Sequence, residues 1–133
     1  MRAKQVSVFL ENRLGRLKDA LEALANSNVD VKTLSIADSA DFGIVRMILA
    51  DTDAGTSALR AAGFTTSIVE VLAVEVPNQP GGFLRTIVGP LTAAGVNIEY
   101  VYAFTHGPSD SALVVLKTSD MAEAERVIGD SQK

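Results

Sequence analysis

Apolar residues follow two successive periods at the start of the chain. They occupy alternate positions of residues 4–10, as expected for a half-buried strand, and then recur at the spacing of an amphipathic helix. A turn, Asn12-Arg13-Leu14-Gly15, separates the two patterns. The apolar positions are Val6, Val8 and Leu10 in the predicted strand, and Leu17, Ala20, Leu21 and Leu24 in the predicted helix.

Three further strands and a short helix are predicted before residue 77. The strands cover residues 29–36, 42–50 and 65–76, and the helix begins at Asp51-Thr52-Asp53 and stops at Gly63. The last strand changes its buried face part-way, from Val69 and Val71 to Leu72 and Val74. Such a change predicts a strand that leaves one sheet and enters another.

The second half of the chain repeats this order. A shift of 66 positions superposes the first strands and the turns, and a shift of 67 superposes the later elements, so the extra residue is placed in Gly81-Gly82. A helix cap is predicted at Asp120 with Glu123. The predicted second-half elements are a helix with the apolar stripe Leu84, Ile87, Val88 and Leu91, strands 96–104 and 111–117, and a final helix 122–128.

The repeat predicts an α+β fold of two ferredoxin-like βαββαβ units in tandem, each an antiparallel sheet with helices on one face. The domains would cover residues 1–71 and 72–133, and the second would lack its last strand. That open edge must be short, covered or paired with another chain. Strands 44–49 and 112–116 are apolar on both faces, so we expect a covering sheet or second subunit and predict a homodimer.

Composition excludes several classes of function. The 133-residue chain carries a net charge of −4 with scattered basic residues, which argues against nucleic-acid and membrane-surface binding. It has no Cys and only His106, so thiolate chemistry, most His-based metal sites and most catalytic triads are unexpected, and no metal or cofactor is predicted. No signal peptide or membrane-spanning run is recognised, and we expect a cytoplasmic protein.

The two turns carry a family resemblance. Asn12-Arg13-Leu14-Gly15 and Asn78-Gln79-Pro80-Gly81 follow the first strand of each unit, and Val29-Asp30-Val31 and Gly95-Val96-Asn97-Ile98 open the second strand. This pattern resembles that of ACT domains over nearly the whole chain. The first copy departs from it at Leu14 and Asn28, and both turns have Asn where Asp is commoner. The resemblance implies amino-acid binding at the turns, and regulation of a partner enzyme or pathway rather than catalysis.

The chemistry of the turns fits an amino acid. A helix start presents unpaired N–H groups and partial positive charge to a carboxylate, glycine allows close approach, and an Asn amide can donate and accept. The predicted ligand-binding residues are Asn12, Leu14, Gly15, Arg16 and Asp30 in the first copy, and Asn78, Pro80, Gly81, Gly82, Phe83, Asn97 and Ile98 in the second.

Other interpretations stay open at this point. The turns could be strand-to-helix connections only. The chain could be an interaction module, like the regulatory subunit of acetolactate synthase, or belong beside a ligase that activates aromatic acids. An enzyme using Arg46, Glu99, Tyr100 and Tyr102 lacks a nucleophile–base spacing. The alternating stripe Ile98, Tyr100, Tyr102 and Phe104 fits sheet packing, a ligand wall or a dimer surface.

Overall fold

A computed structural model of the protein describes residues 2–38, 41–105 and 110–131. The predicted turn containing His106 lies outside the described residues, apart from its ends. The elements are β1 (Arg2–Glu11), α1 (Arg16–Asn26), β2 (Val31–Asp38), β3 (Phe42–Leu49), α2 (Thr52–Ala61), β4 (Thr65–Pro77), a π-helical segment (Leu84–Val88), α3 (Gly89–Ala93), β5 (Ile98–Thr105), β6 (Ser111–Thr118) and α4 (Met121–Ser131).

The chain divides into two compact units. The first unit comprises Lys4–Val69, and the second comprises the chain from Glu70 onward together with the first residues up to Ala3. β4 crosses this boundary. Both Val71 and Leu72 are buried, so the alternation of buried positions along β4 changes phase there, as the sequence predicts.

The first unit has the strand order β2-β3-β1-β4. β3 pairs antiparallel with β1 and with β2, and the register sets Val8 opposite Val45. These side chains belong to a core into which α1 inserts Ala20 and Leu24. Asp51 caps α2, because its Oδ1 accepts a hydrogen bond of 3.0 Å from the Ala54 N–H.

The second unit has β6 between β4 and β5, with antiparallel pairing. Its core contains Leu72, Leu91 and Leu116, among others. The predicted cap of α4 is confirmed, since Asp120 Oδ1 accepts a hydrogen bond of 3.0 Å from the Glu123 N–H. No strand follows α4 in the described part of the chain.

The start of the chain belongs to the second unit. Arg2 Nη1 lies 2.6 Å from Glu70 and Arg2 Nε lies 3.2 Å from Glu125, and these hydrogen bonds raise the pKa of the guanidinium. The second unit lacks a closing strand beside β4. Because Arg2 opens β1, and β1 is a neighbour of β4, the start of β1 lies at that position. The open edge of the second unit was expected to be short, covered or paired with another chain. The structure favours an edge covered by the start of β1.

The helix after the second turn differs from its prediction. Its first part is π-helical: the Gly89 N–H donates to the Leu84 carbonyl, five residues earlier. Pro90, which has no N–H and cannot sit in an α-helix interior without cost, follows at the start of α3. The predicted continuous α-helix is therefore wrong in this part.

The π-helical segment also relocates the extra residue of the second repeat. Backbone hydrogen bonds match at a shift of 66 up to the pair Asp19→Gly15 and Arg85→Gly81. They match at a shift of 67 for the pair Val29→Leu24 and Val96→Leu91, and at a shift of 69 for the helix starts, Gly55→Asp51 and Ala124→Asp120. The extra residue is thus absorbed between residues 85 and 91 by the wider turn, and its predicted position in Gly81-Gly82 is wrong.

Only half of the predicted apolar stripe of this helix reaches the core. Ile87 and Leu91 are buried, whereas Leu84 is 60% exposed and Val88 is 40% exposed. The prediction assumed 100° per residue, and a π turn rotates the chain less per residue, so the spacing no longer places all four side chains on one side.

A register shift in β5 divides the aromatic stripe. Ile98 pairs with Thr118, and Tyr100 pairs with Lys117, with an irregularity between them. Ile98 therefore packs against the second core, and the single face predicted for all four residues is wrong. Tyr102 and Phe104 remain together, in an edge contact with ring centroids 6.0 Å apart. β2 has a matching irregularity between Val31 and Thr33.

No helix in the described ranges is long and apolar enough to cross a membrane.

Candidate functional site

The β1–α1 turn of the first unit is held by its backbone. The Asn12 N–H donates to the Asp41 carbonyl at 2.9 Å, and the Arg13 N–H donates to the Glu11 carbonyl at 2.8 Å. Gly15 has φ +89°, a left-handed conformation that favours glycine. No side chain caps the start of α1. The Leu14 side chain is fully exposed at the tip of the turn.

The turn of the second unit repeats this framework. The Asn78 N–H donates to the Asp110 carbonyl at 2.8 Å, and the Gln79 N–H donates to the Pro77 carbonyl at 2.9 Å. Gly81 has φ +79° and corresponds to Gly15. The two turns therefore have the same length and backbone hydrogen bonds, and Asn12 and Asn78 occupy equivalent positions.

Gly82 has a packing role. A Cβ at this position would lie 2.4 Å from the Pro77 carbonyl oxygen, so only glycine fits without movement of the backbone. Its counterpart at a shift of 66 is Arg16. Nearby, Arg85 Nη1 donates to the Pro80 carbonyl at 3.4 Å and its guanidinium lies over Gly81. Phe83 and Pro80 are exposed.

The remaining predicted site residues lie away from these turns within their own units. Asp30 and Asn97 follow α1 and α3, at the ends of the helices opposite to the turns. The Asp30 carbonyl accepts from the Ala50 N–H at 2.9 Å, and the Asn97 carbonyl accepts from the Ser119 N–H at 2.9 Å. In neither unit are these residues brought together with the Asn of the turn.

Arg16 lies in a distinctive setting at the start of α1. Its Nη1 lies 3.2 Å from Asp19 Oδ2, and its Nε lies 3.8 Å from Glu11 Oε1, too far for a hydrogen bond. The guanidinium carbon lies 4.6 Å from the centre of the Phe64 ring, a cation–π contact. The Nε atom is buried and, among the described residues, has no hydrogen-bond partner.

Two cavities adjoin the turn of the first unit. The smaller, about 220 Å³, includes Asn12, Leu17 and Ile36 in its lining. The larger, about 340 Å³, includes Arg16 and three phenylalanines. Sequence analysis identified Arg16 but missed the aromatic residues, since nothing in their local patterns relates them to the turn. The larger cavity is lined by Phe9, Glu11, Arg16, Phe42, Gly63, Phe64 and Thr65.

Comparison with known proteins agrees with this fold. The family model for the ACT domain pair matches residues 1–132 of this chain. Protein BT0572 from Bacteroides thetaiotaomicron, solved by crystallography, is 40% identical, with a TM-score of 0.93 over 99% of this chain and 90% of that one. A search of curated proteins found no match.

More distant structures share the fold. The regulatory subunit of aspartate kinase from Thermus thermophilus has a TM-score of 0.65 at 14% identity, over 98% of this chain and 93% of that one. Aspartokinase III from E. coli, solved in complex with lysine and aspartate, has a TM-score of 0.59 at 18% identity, over 99% of this chain and 31% of that one.

Two tandem ferredoxin-like units with matching strand-to-helix turns are the architecture expected of a domain pair of this family. The chain belongs to the ACT domain pair family. ACT domains are regulatory, so membership supports a regulatory role that involves binding a small molecule.

Proposed function

We propose that this protein binds a free amino acid at its β1–α1 turns and passes the signal to a partner enzyme or pathway, without catalysing a reaction itself. The observation that carries the proposal is the repeated turn, in which Asn12 and Asn78 occupy equivalent positions and Gly15 and Gly81 share a left-handed conformation. A strand-to-helix connection alone would not require the same turn geometry in both units.

The start of α1 suits the carboxylate of an amino acid. Its first N–H groups have no side-chain cap, and the partial positive charge of the helix end favours an anion. The exposed Asn12 amide can accept from an ammonium group or donate to a carboxylate. E. coli aspartokinase III, of which this chain matches 31%, was solved in complex with lysine and aspartate.

Thermal unfolding of the full chain against each of the twenty amino acids tests the proposal. A ligand at 100 times its Kd should add about 2.7 kcal/mol to the free energy of unfolding. Asn12→Ala and Asn78→Ala should reduce the shift. Asn26→Ala, a like change at the opposite end of α1, should leave it unchanged. The absence of a shift with every amino acid would contradict the proposal.

We further propose that the protein is a homodimer. Phe83, Leu84 and Val88 are exposed beside the second turn, and covering them would remove apolar surface from water.

The same residues favour one alternative function, a ligand-independent interaction module that docks on an enzyme. Affinity capture of this protein from a native lysate should then recover one enzyme in stoichiometric amount, and Leu84→Ser should abolish the recovery of that enzyme. Repeated recovery of the protein alone would exclude this alternative.

A further inference from the structure

We infer that residues 81–91 act as a register switch, which exposes Leu84 and Val88 in one state and buries them in the other. The structure shows the π register, in which both side chains are exposed. The second state would be an α register, with the extra residue in the turn before the helix. The inference rests on the proposed docking of a second copy at Phe83, Leu84 and Val88, and it names what regulates that surface.

The first unit shows the packing that an α register would give. Four apolar side chains of α1 contact the first core: Leu17, Ala20, Leu21 and Leu24. Their counterparts at a shift of 67 are Leu84, Ile87, Val88 and Leu91. Of these, Ile87 and Leu91 belong to the second core, whereas Leu84 and Val88 are exposed. An α-helix, which turns by about 100° per residue, would place all four on one face and bring Leu84 and Val88 to the core.

The turn before the helix can serve either register. The helix of the first unit is preceded by Gly15 in a left-handed conformation, which favours glycine. At the observed shift of 66 the equivalent residue is Gly81, with φ +79°, and at a shift of 67 it would be Gly82. The adjacent glycines therefore allow the extra residue to move from the helix into the turn without forcing a side chain into a left-handed conformation.

The segment contains features that favour each register. Gly89 permits the π register, because an added Cβ there would lie 2.8 Å from the Leu84 carbonyl oxygen. Pro90 opposes the α register, because it has no N–H to donate to the Thr86 carbonyl and its ring would clash with that carbonyl. The exposure of Leu84 and Val88, 60% and 40%, opposes the π register, since the α register would remove both from water.

The switch would regulate docking through the availability of these side chains. A second copy can contact Leu84 and Val88 only in the π register, so association shifts the population toward that register. Conditions that favour the α register withdraw the same two side chains and weaken association. A regulatory role agrees with the frequent occurrence of single π turns at functional sites.

NMR scalar couplings across hydrogen bonds of the full chain test the inference. In the wild type the Gly89 N–H should couple to the Leu84 carbonyl carbon. In Gly89→Ala combined with Pro90→Ala, the N–H of residue 89 should couple to the Arg85 carbonyl carbon instead, because both changes favour an α turn. Gly89→Ala alone gives the same readout if the double variant fails to fold. A folded variant that keeps the coupling to Leu84 would overturn the inference.

A matched control changes the corresponding residue of α1. Glu22 stands at the position of Gly89 at a shift of 67. In Glu22→Ala the N–H of residue 22 should still couple to the Lys18 carbonyl carbon, as in the wild type, because α1 contains neither glycine nor proline and has one register.

Methyl relaxation dispersion on the wild type tests whether both registers are populated. We expect exchange on the μs–ms timescale at Leu84 and Val88, with about 0.1–10% of chains in the α register. Leu17 and Leu21, the matched positions of α1, should show none. Flat profiles at Leu84 and Val88 would overturn the switch.

Chain concentration separates this inference from the proposed homodimer. The register change occurs within one chain, so the exchange should persist at concentrations where sedimentation shows monomers. Exchange that occurs only where dimers are present would report association and overturn the switch. A wild type that is monomeric at every concentration and still exchanges would refute the homodimer and leave the switch intact.

Discussion

The glycines of the two turns answer different physical requirements. Gly15 and Gly81 adopt φ of +89° and +79°, which a side chain disfavours through backbone strain. Gly82 has no such φ, and it is required because the Pro77 carbonyl oxygen occupies the place of a Cβ. The adjacent pair Gly81-Gly82 therefore reflects one conformational and one steric constraint.

Substitution of Gly82 tests the steric constraint. Gly82→Ala should lower the free energy of unfolding by about 1–3 kcal/mol, the usual cost of overpacking, because its Cβ would lie 2.4 Å from a backbone oxygen. Urea unfolding of the purified variant measures this cost.

Gly129 provides a matched control. It lies in α4 and an added Cβ there would meet nothing within 4 Å, so Gly129→Ala should raise stability by about 0.5–1 kcal/mol. If Gly82→Ala proved as stable as the wild type, the steric explanation would be wrong.

At the scale of elements, the π-helical segment accommodates one residue more than α1 has. Arg85 corresponds to Asp19 at a shift of 66. The buried Ile87 matches the buried Ala20 at a shift of 67, which leaves Thr86 without a counterpart. An added Cβ at Gly89 would lie 2.8 Å from the Leu84 carbonyl oxygen, so glycine permits the wide turn. The segment brings Ile87 and Leu91 into the core and leaves Leu84 outside.

Deleting Thr86 together with Pro90→Ala should restore an ordinary α-helix. Ile87 and Leu91 would keep their core positions, as Ala20 and Leu24 do in α1, so cooperative thermal unfolding followed by circular dichroism should persist.

The control is deletion of Glu22 from α1, where no residue is in excess. This deletion rotates Leu24 by about 100° away from the core and should abolish cooperative unfolding. Loss of cooperativity in the Thr86 variant as well would contradict the assignment of the extra residue.

At the scale of the whole molecule, exposed apolar side chains beside the second turn bear on assembly. Sedimentation velocity should show twice the mass of a single 14.0 kDa chain. Phe83→Ser combined with Leu84→Ser should give monomers, because apolar contact area is removed. Ile68→Ser changes an exposed apolar side chain of the first unit and should leave the dimer intact. A monomeric wild type would refute the homodimer.

The predictability of the fold and site depends on how local each signal is in the sequence. Alternation predicts the strands, and the capping residues Asp51 and Asp120 mark two helix starts, because these signals depend on neighbouring residues. For residues 84–93 the sequence predicted a helix but not its type. An N–H group bonds the carbonyl four residues earlier in an α turn and five residues earlier in a π turn, and the residue types do not show which of the two forms. The division into domains at residues 71 and 72 stays a prediction.

By itself, the sequence determined the repeat, the order of elements and the equivalence of Asn12 and Asn78, because hydrophobic periodicity and turn residues encode local conformation. Only the tertiary structure decided where the extra residue is absorbed and which side chains surround Arg16. Phe64 is distant from Arg16 in sequence and reaches it through the packing of β4 beside β1. Contacts between distant residues depend on how whole elements pack, and no local pattern specifies that packing.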